Sequence, residues 1–164
     1  MNESTLSHYT AAKPQKEQRA NIAAPQSIAV RVYYEDTDFS GNVYHASYLR
    51  FLERGRTEFL RALGVEHRKL FANGESAWHF VVRAMTIEFL KPALMDDELA
   101  VETRVSSLGG ASIEMRQEIS RGKEVLLAAD VRIALVAGGK ARRIPAEILK
   151  KLQPCVGPSQ TKLV

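Results

Sequence analysis

The sequence predicts an α+β domain in which an antiparallel sheet wraps one long helix. Three observations predict it. A period-two stretch at residues 28–34 gives way near His45 to a 3.6-residue period that lasts to Leu63. The apolar arc of that helical stretch covers about half its circumference, wider than the ~100° stripe of a surface helix, so a curved sheet should embrace it. After it come four strand-like stretches joined by tight turns.

Taken in order, residues 1–26 are rich in Ala, Gln, Lys, Ser and Asn, with no sustained apolar period and no secretory h-region. They read as a mobile extension outside the fold. Ile28, Val30, Val32 and Tyr34 alternate with Ala29, Arg31 and Tyr33, the pattern of a half-buried strand. EDTDFSGN follows as an acidic loop. Tyr48, Leu49, Phe51, Leu52, Gly55, Phe59, Leu60 and Leu63 then share one helical arc, opposite Arg50, Arg54, Thr57 and Arg61, and Gly64 should end the helix. Arg56 falls inside the arc, where an unpaired charge is costly, so it needs a partner such as Glu53 or a backbone carbonyl.

Residues 65–77 hold short helical or turn material around Asn73-Gly74. Strands are expected at 78–90, 98–106, 111–120 and 125–136, the last almost continuously apolar and therefore central. Lys91-Pro92, Gly109-Gly110, Arg121-Gly122-Lys123 and Gly138-Gly139 bound them. Pro145 opens a short helix at 146–152, and the chain from Pro154 reads as an unstructured tail. The expected organisation is an extension at 1–26, one domain at 27–153 and a tail at 154–164.

Composition supports one soluble domain with a substantial core: 164 residues, 45% hydrophobic and 26% charged. No apolar run approaches the ~20 residues of a membrane-spanning helix. One cysteine, Cys155, excludes an intrachain disulfide and a cysteine-rich metal site, and fits a reducing cytoplasm. The net charge of +4 is uneven: residues 140–162 carry +5 and the remainder −1. That basic segment is either a solvated tail or a surface that steers a polyanion such as a nucleotide-bearing cofactor.

The familiar signatures G-x-S-x-G, G-x-x-x-x-G-K-[ST] and G-x-G-x-x-G are absent, and no His and Cys stand at metal spacing. Of the four histidines, His45 alone stands where strand gives way to helix; His8, His67 and His79 are scattered. Asp36 and Asp38 flank Thr37 just before the helix. Spacing alone favours turn chemistry, with Asp side chains bonding nearby N–H groups. Three features favour catalysis. Tyr33, Tyr34, Phe39, Tyr44 and Tyr48 surround the pair, and desolvation by them would raise a carboxylate pKa. The helix start lacks an obvious cap, Asn42 and Ser47 being the nearest candidates, so its N–H groups could receive an oxyanion. Carboxylate, imidazole and phenol together make an acid/base set.

These residues carry a resemblance. YYEDTDFSGNVYHASYLRFLERGRTEFL closely resembles the signature of hot-dog-fold acyl-CoA thioesterases, nearest the Tol–Pal-associated YbgC-type group and related to 4-hydroxybenzoyl-CoA thioesterase. The likeness continues through FVVRAMTIEFLKPALMDDELAV and covers roughly residues 28–145. It implies a hot-dog fold with a five-stranded antiparallel sheet around one long central helix, and hydrolysis of an acyl-CoA thioester without metal or organic cofactor. It implies that Asp38 is the catalytic carboxylate, with nucleophile and general base both open. It gives His45 the carbonyl-polarising backbone N–H and a side-chain role, and Tyr34 a positioning hydrogen bond. Asp36 looks more structural. Gly41 and Tyr44 would contact substrate. Relatives specialised for 4-hydroxybenzoyl-CoA hold nucleotide phosphate with a basic cluster at the turn matching Leu108-Gly109-Gly110; it is missing here, so Arg142 and Arg143 would substitute, or the nucleotide end is held loosely.

The implied protein is a cytoplasmic homodimer or homotetramer with sites between subunits, no nucleic acid partner and no membrane span. An acyl carrier protein substrate, a hot-dog hydratase or dehydratase, and a non-catalytic acyl-CoA-binding module are the alternatives.

Overall fold

The computed structural model describes residues 26–65 and 77–157. The expected extension up to residue 25, the turn material at 66–76 and the tail from residue 158 lie outside the described residues. The elements are β1 (Gln26–Arg31), α1 (His45–Ala62), β2 (His79–Phe89), β3 (Glu98–Leu108), β4 (Ser112–Arg121), β5 (Glu124–Ala137), β6 (Lys140–Ala141) and α2 (Ala146–Leu152). The strands pair antiparallel in the order β1-β3-β4-β5-β2. β6 joins β5 at Val136 and Ala137, just beyond Ala134, where β4 begins to pair. The sheet thus has a sixth strand, too short for its two residues to show a period. Gly138-Gly139 reverses the chain instead of ending the sheet.

α1 packs its Tyr48, Phe51, Leu52, Phe59 and Leu60 face into a core shared with Leu99, Val101, Ile113, Met115, Ile119 and Leu127. Each such side chain taken out of water stabilises the fold by ~1.5–3 kcal/mol. Gly55 lets the helix approach the sheet: a Cβ there would lie 2.9 Å from both Thr103 Oγ1 and Val101 Cγ1. Beside it, Arg56 is buried, as its place in the apolar arc suggested, and finds the partner it needed in Glu53. It also donates to Gln117 Oε1 at 2.8 Å, while Gln117 Nε2 donates to Leu52 O and to Thr103 Oγ1. These bonds fix helix to sheet, since a buried charge left without them would be strongly destabilising.

Three further sequence expectations need correcting. β1 stops at Arg31, short of Tyr34. Val32 still bonds Asp96 and Asp97, but Tyr33 and Tyr34 both face solvent and residues 34–36 close a 3-10 turn. Leu49 lies at the rim of the helical arc and is exposed. Residues 154–157, expected to be unstructured, are ordered: Cys155 is buried and the Gly157 N–H donates to Val105 O at 3.0 Å. Residues 156 and 157 dock there because β3 offers its edge at Val105, a contact no local pattern reports.

Two sheet edges result. β1 forms one and β2 the other, and β2 leaves Val81, Val82 and Phe89 exposed along an 11-residue strand. Among the described residues, no helix is long and apolar enough to cross a membrane.

Candidate active site

Residues 32–48 form the junction between β1 and α1. Asp36 is 3% exposed and its Oδ2 accepts the Tyr33 N–H at 3.0 Å, while its carbonyl accepts the Tyr44 N–H at 2.8 Å. Arg50 Nη2 stands 3.6 Å from Oδ1. Asp36 thus ties both ends of the loop together and is spent on structure.

Above it, Thr37 bridges Val43, the Asp38 N–H donates to Asn42 O at 2.8 Å, and the Gly41 N–H donates to Asp38 O at 3.0 Å. The tight reversal demands φ +79° at Gly41, a conformation that other residues adopt only with strain. Asn42 bridges Leu94, the Val43 N–H donates to Ala93 O, and Tyr48 Oη accepts the Ala93 N–H at 2.8 Å. The loop is therefore clamped between α1 and the segment that follows β2.

Asp38 stands exposed at the tip of this reversal. Its Oδ1 accepts the Ser40 hydroxyl at 2.6 Å and the Ser40 N–H at 2.8 Å. Those two bonds, with smaller help from the Asn42 backbone and nearby His45, hold its pKa below the ordinary 3.8. The aromatic neighbours had suggested the opposite. Tyr33, Tyr34 and Phe39 are 61%, 82% and 109% exposed, so they bury little, and the Ser40 hydrogen bonds outweigh the desolvation that remains. Ser40 escaped notice in the sequence, although Asp followed two residues later by Ser is the pattern of an Asx turn.

The start of α1 lacks a side-chain cap, as the sequence suggested. Both nearby candidates are engaged elsewhere: Asn42 Nδ2 donates to Ser40 Oγ, and Ser47 Oγ accepts from Arg50 Nη2. The Ser47 N–H turns back to Tyr44 O at 2.8 Å. The positive end of an 18-residue helix is thus left open beside an ionised carboxylate. His45 is exposed there, its ring 4.3 Å from that of Tyr44 and tilted by 53°.

Asp38, Gly41, Tyr44 and His45 are thus brought together. Tyr34 contributes its carbonyl, which accepts from Thr37 N and Oγ1, while its ring lies in solvent and its hydroxyl has no hydrogen bond among the described residues. Arg142 and Arg143 are not brought to Asp38 within one protomer. The Arg142 N–H donates to Leu135 O, whereas the segment clamping the Asp38 loop follows Leu90, whose N–H donates to Leu126 O. Leu126 and Leu135 are separated by about 30 Å of strand at ~3.3 Å per residue.

Residues 32–152 match the thioesterase-like superfamily. The acyl-CoA thioesterase YbgC of Haemophilus influenzae is 44% identical over 124 residues, covering 74% of this chain and 90% of that protein. A solved structure described as a probable thioesterase from Bartonella henselae superposes with TM-score 0.72 at 48% identity, covering 74% of this chain and all of that one. A Thermus thermophilus thioesterase complexed with coenzyme A and zinc superposes with TM-score 0.65 at 25% identity, covering 77% and 96%.

Proposed function

The chain belongs to the thioesterase-like superfamily, and on that premise we propose that it hydrolyses acyl-CoA thioesters to the free acid and coenzyme A. The observation that carries this reading is Asp38, an ionised carboxylate one tight turn before the uncapped start of α1. Asp38 adds to the thioester carbonyl carbon, and the oxyanion that forms is received by the first N–H groups of the helix at His45. Collapse breaks the C–S bond, coenzyme A leaves as thiolate and is protonated, and water hydrolyses the acyl–aspartyl anhydride. A lowered pKa suits a nucleophile that is an anion at neutral pH. It suits a general base less well, because a base works best with a pKa near the working pH. His45 Nε2 or Nδ1 is available to guide water or protonate the thiolate.

Gly41 and Tyr44 line the approach. The exposed apolar edge of β2 favours pairing with a second copy, since a long bare edge strand invites association, and a homodimer is the assembly we propose, with the cytoplasm as its compartment. Thiol release from a panel of acyl-CoAs tests the reading. Asp38→Asn should abolish release while leaving the circular dichroism spectrum and melting temperature within error of wild type; retained release from the purified variant would refute it. Faster release from acyl carrier protein than from coenzyme A would reassign the carrier.

A further inference from the structure

We propose that the Glu53–Arg56 ion pair sets the length of the acyl chain that the enzyme accepts, an inference that rests on the hydrolase reading above. Between α1 and edge strand β2 runs a groove of about 520 Å³, walled by Leu49, Val82, Met85 and Ile87. The groove opens at Leu49, about one helical turn beyond His45. His45, Leu49, Glu53 and Arg56 follow one another by four, four and three residues and so share one stripe of α1. Arg50, also on the groove wall, reaches Asp36, two residues from Asp38. An acyl thioester with its carbonyl at His45 therefore has an apolar trough before it for its tail.

The trough ends on charge. Glu53, Arg56 and Val82 line this groove and also a second pocket of about 200 Å³ that continues to Leu60, Phe80 and Ile133. The ion pair is thus a polar partition between the two. A methylene chain pushed across it would strip water from a carboxylate and offer no hydrogen bond in return. Eight residues separate His45 from Glu53, about 12 Å of helix at ~1.5 Å per residue. An extended chain advances about 1.2 Å per bond, scaled from three backbone bonds in ~3.6 Å. The partition therefore admits short and medium acyl chains, up to about ten carbons.

Thiol release from butyryl-, octanoyl- and palmitoyl-CoA is to be measured for wild type, Glu53→Leu and Val82→Trp, with calorimetric binding of the same three thioesters to Asp38→Asn. Each buried methylene strengthens binding about fourfold, so octanoyl should exceed butyryl and palmitoyl should gain nothing further. Glu53→Leu joins the two pockets and leaves Arg56 its bond to Gln117; in protein whose melting curve shows it folded, it should raise the palmitoyl-to-octanoyl ratio of kcat/KM by about tenfold or more. Val82→Trp narrows the groove and, at unchanged light-scattering mass, should lower the octanoyl-to-butyryl ratio. A wild-type preference for palmitoyl, or ratios unmoved by both variants, would overturn the proposal while thiol release upheld hydrolysis. Binding that stops improving at medium length without thiol release from any substrate would overturn hydrolysis and uphold the groove.

Discussion

Gly55→Ala places one methyl group where α1 meets the sheet, and its consequence can be worked from the contacts. The added Cβ lies 2.9 Å from Thr103 Oγ1 and Val101 Cγ1 and 3.1 Å from Gln117 Nε2. Carbon contacts are comfortable at ~3.5–4.0 Å, so helix and sheet must part by roughly half an ångström or more. Overpacking of this kind costs ~1–3 kcal/mol. Thr103 Oγ1 and Gln117 Nε2 are also hydrogen-bonded to each other at 2.8 Å, and weakening that buried bond adds ~1 kcal/mol. Against this, Ala in place of Gly inside a helix is worth ~1 kcal/mol. The net is a loss of about 2 kcal/mol, or ~4–8 °C in melting temperature for a chain of this size. Scanning calorimetry at fixed protein concentration, needed because association shifts the melting temperature, measures it. Pairing Gly55→Ala with Val101→Ala should cost less than the sum of the two, because the smaller residue makes room for the methyl. An unchanged or raised melting temperature for Gly55→Ala would show that helix propensity outweighs the contact and refute the close approach.

Ser40→Ala removes the hydroxyl that contributes most to holding the Asp38 pKa low. Activity that needs the anion persists down to that pKa and is lost as pH falls through it, so the acid limb of the kcat/KM profile should move to higher pH; an unmoved limb would separate Asp38 from the titration. His45→Ala should lower kcat more than it raises KM, since the side chain serves the reaction and the backbone N–H remains; a change confined to KM would assign His45 to binding. Val81→Lys on the exposed edge of β2 should shift light-scattering mass toward the monomer, and an unchanged mass would place the interface elsewhere.

Much of the candidate site was legible because its signals are local. A change of period marks where β1 gives way to α1, and the absence of a cap at His45 can be read from its neighbours. Gly41 permits the left-handed turn that brings Asp38 back toward Asn42. The state of Asp38 was harder to read. Five aromatic residues close in sequence suggested a desolvated carboxylate, yet four of them are exposed and a serine two residues on holds its pKa low. Nearness along the chain does not report the direction a side chain takes once the backbone turns.

The sequence by itself determined the long helix, the tight turns between strands and the need of Arg56 for a partner, because each follows from periodicity, glycine placement or the cost of a lone buried charge. Only the tertiary structure decided that Gln117 would join Glu53 as a partner of Arg56, that residues 154–157 would dock on β3, and that Arg142 and Arg143 would lie far along β5 from Asp38. It also made the groove. Leu49 and Glu53 come from α1, Val82 and Met85 from a strand more than twenty residues later, and they face one another because β2 is held by β5. Strand order comes from pairings between distant segments, whose hydrogen bonds are the same for every residue type. No local pattern encodes which edge will stand beside the helix.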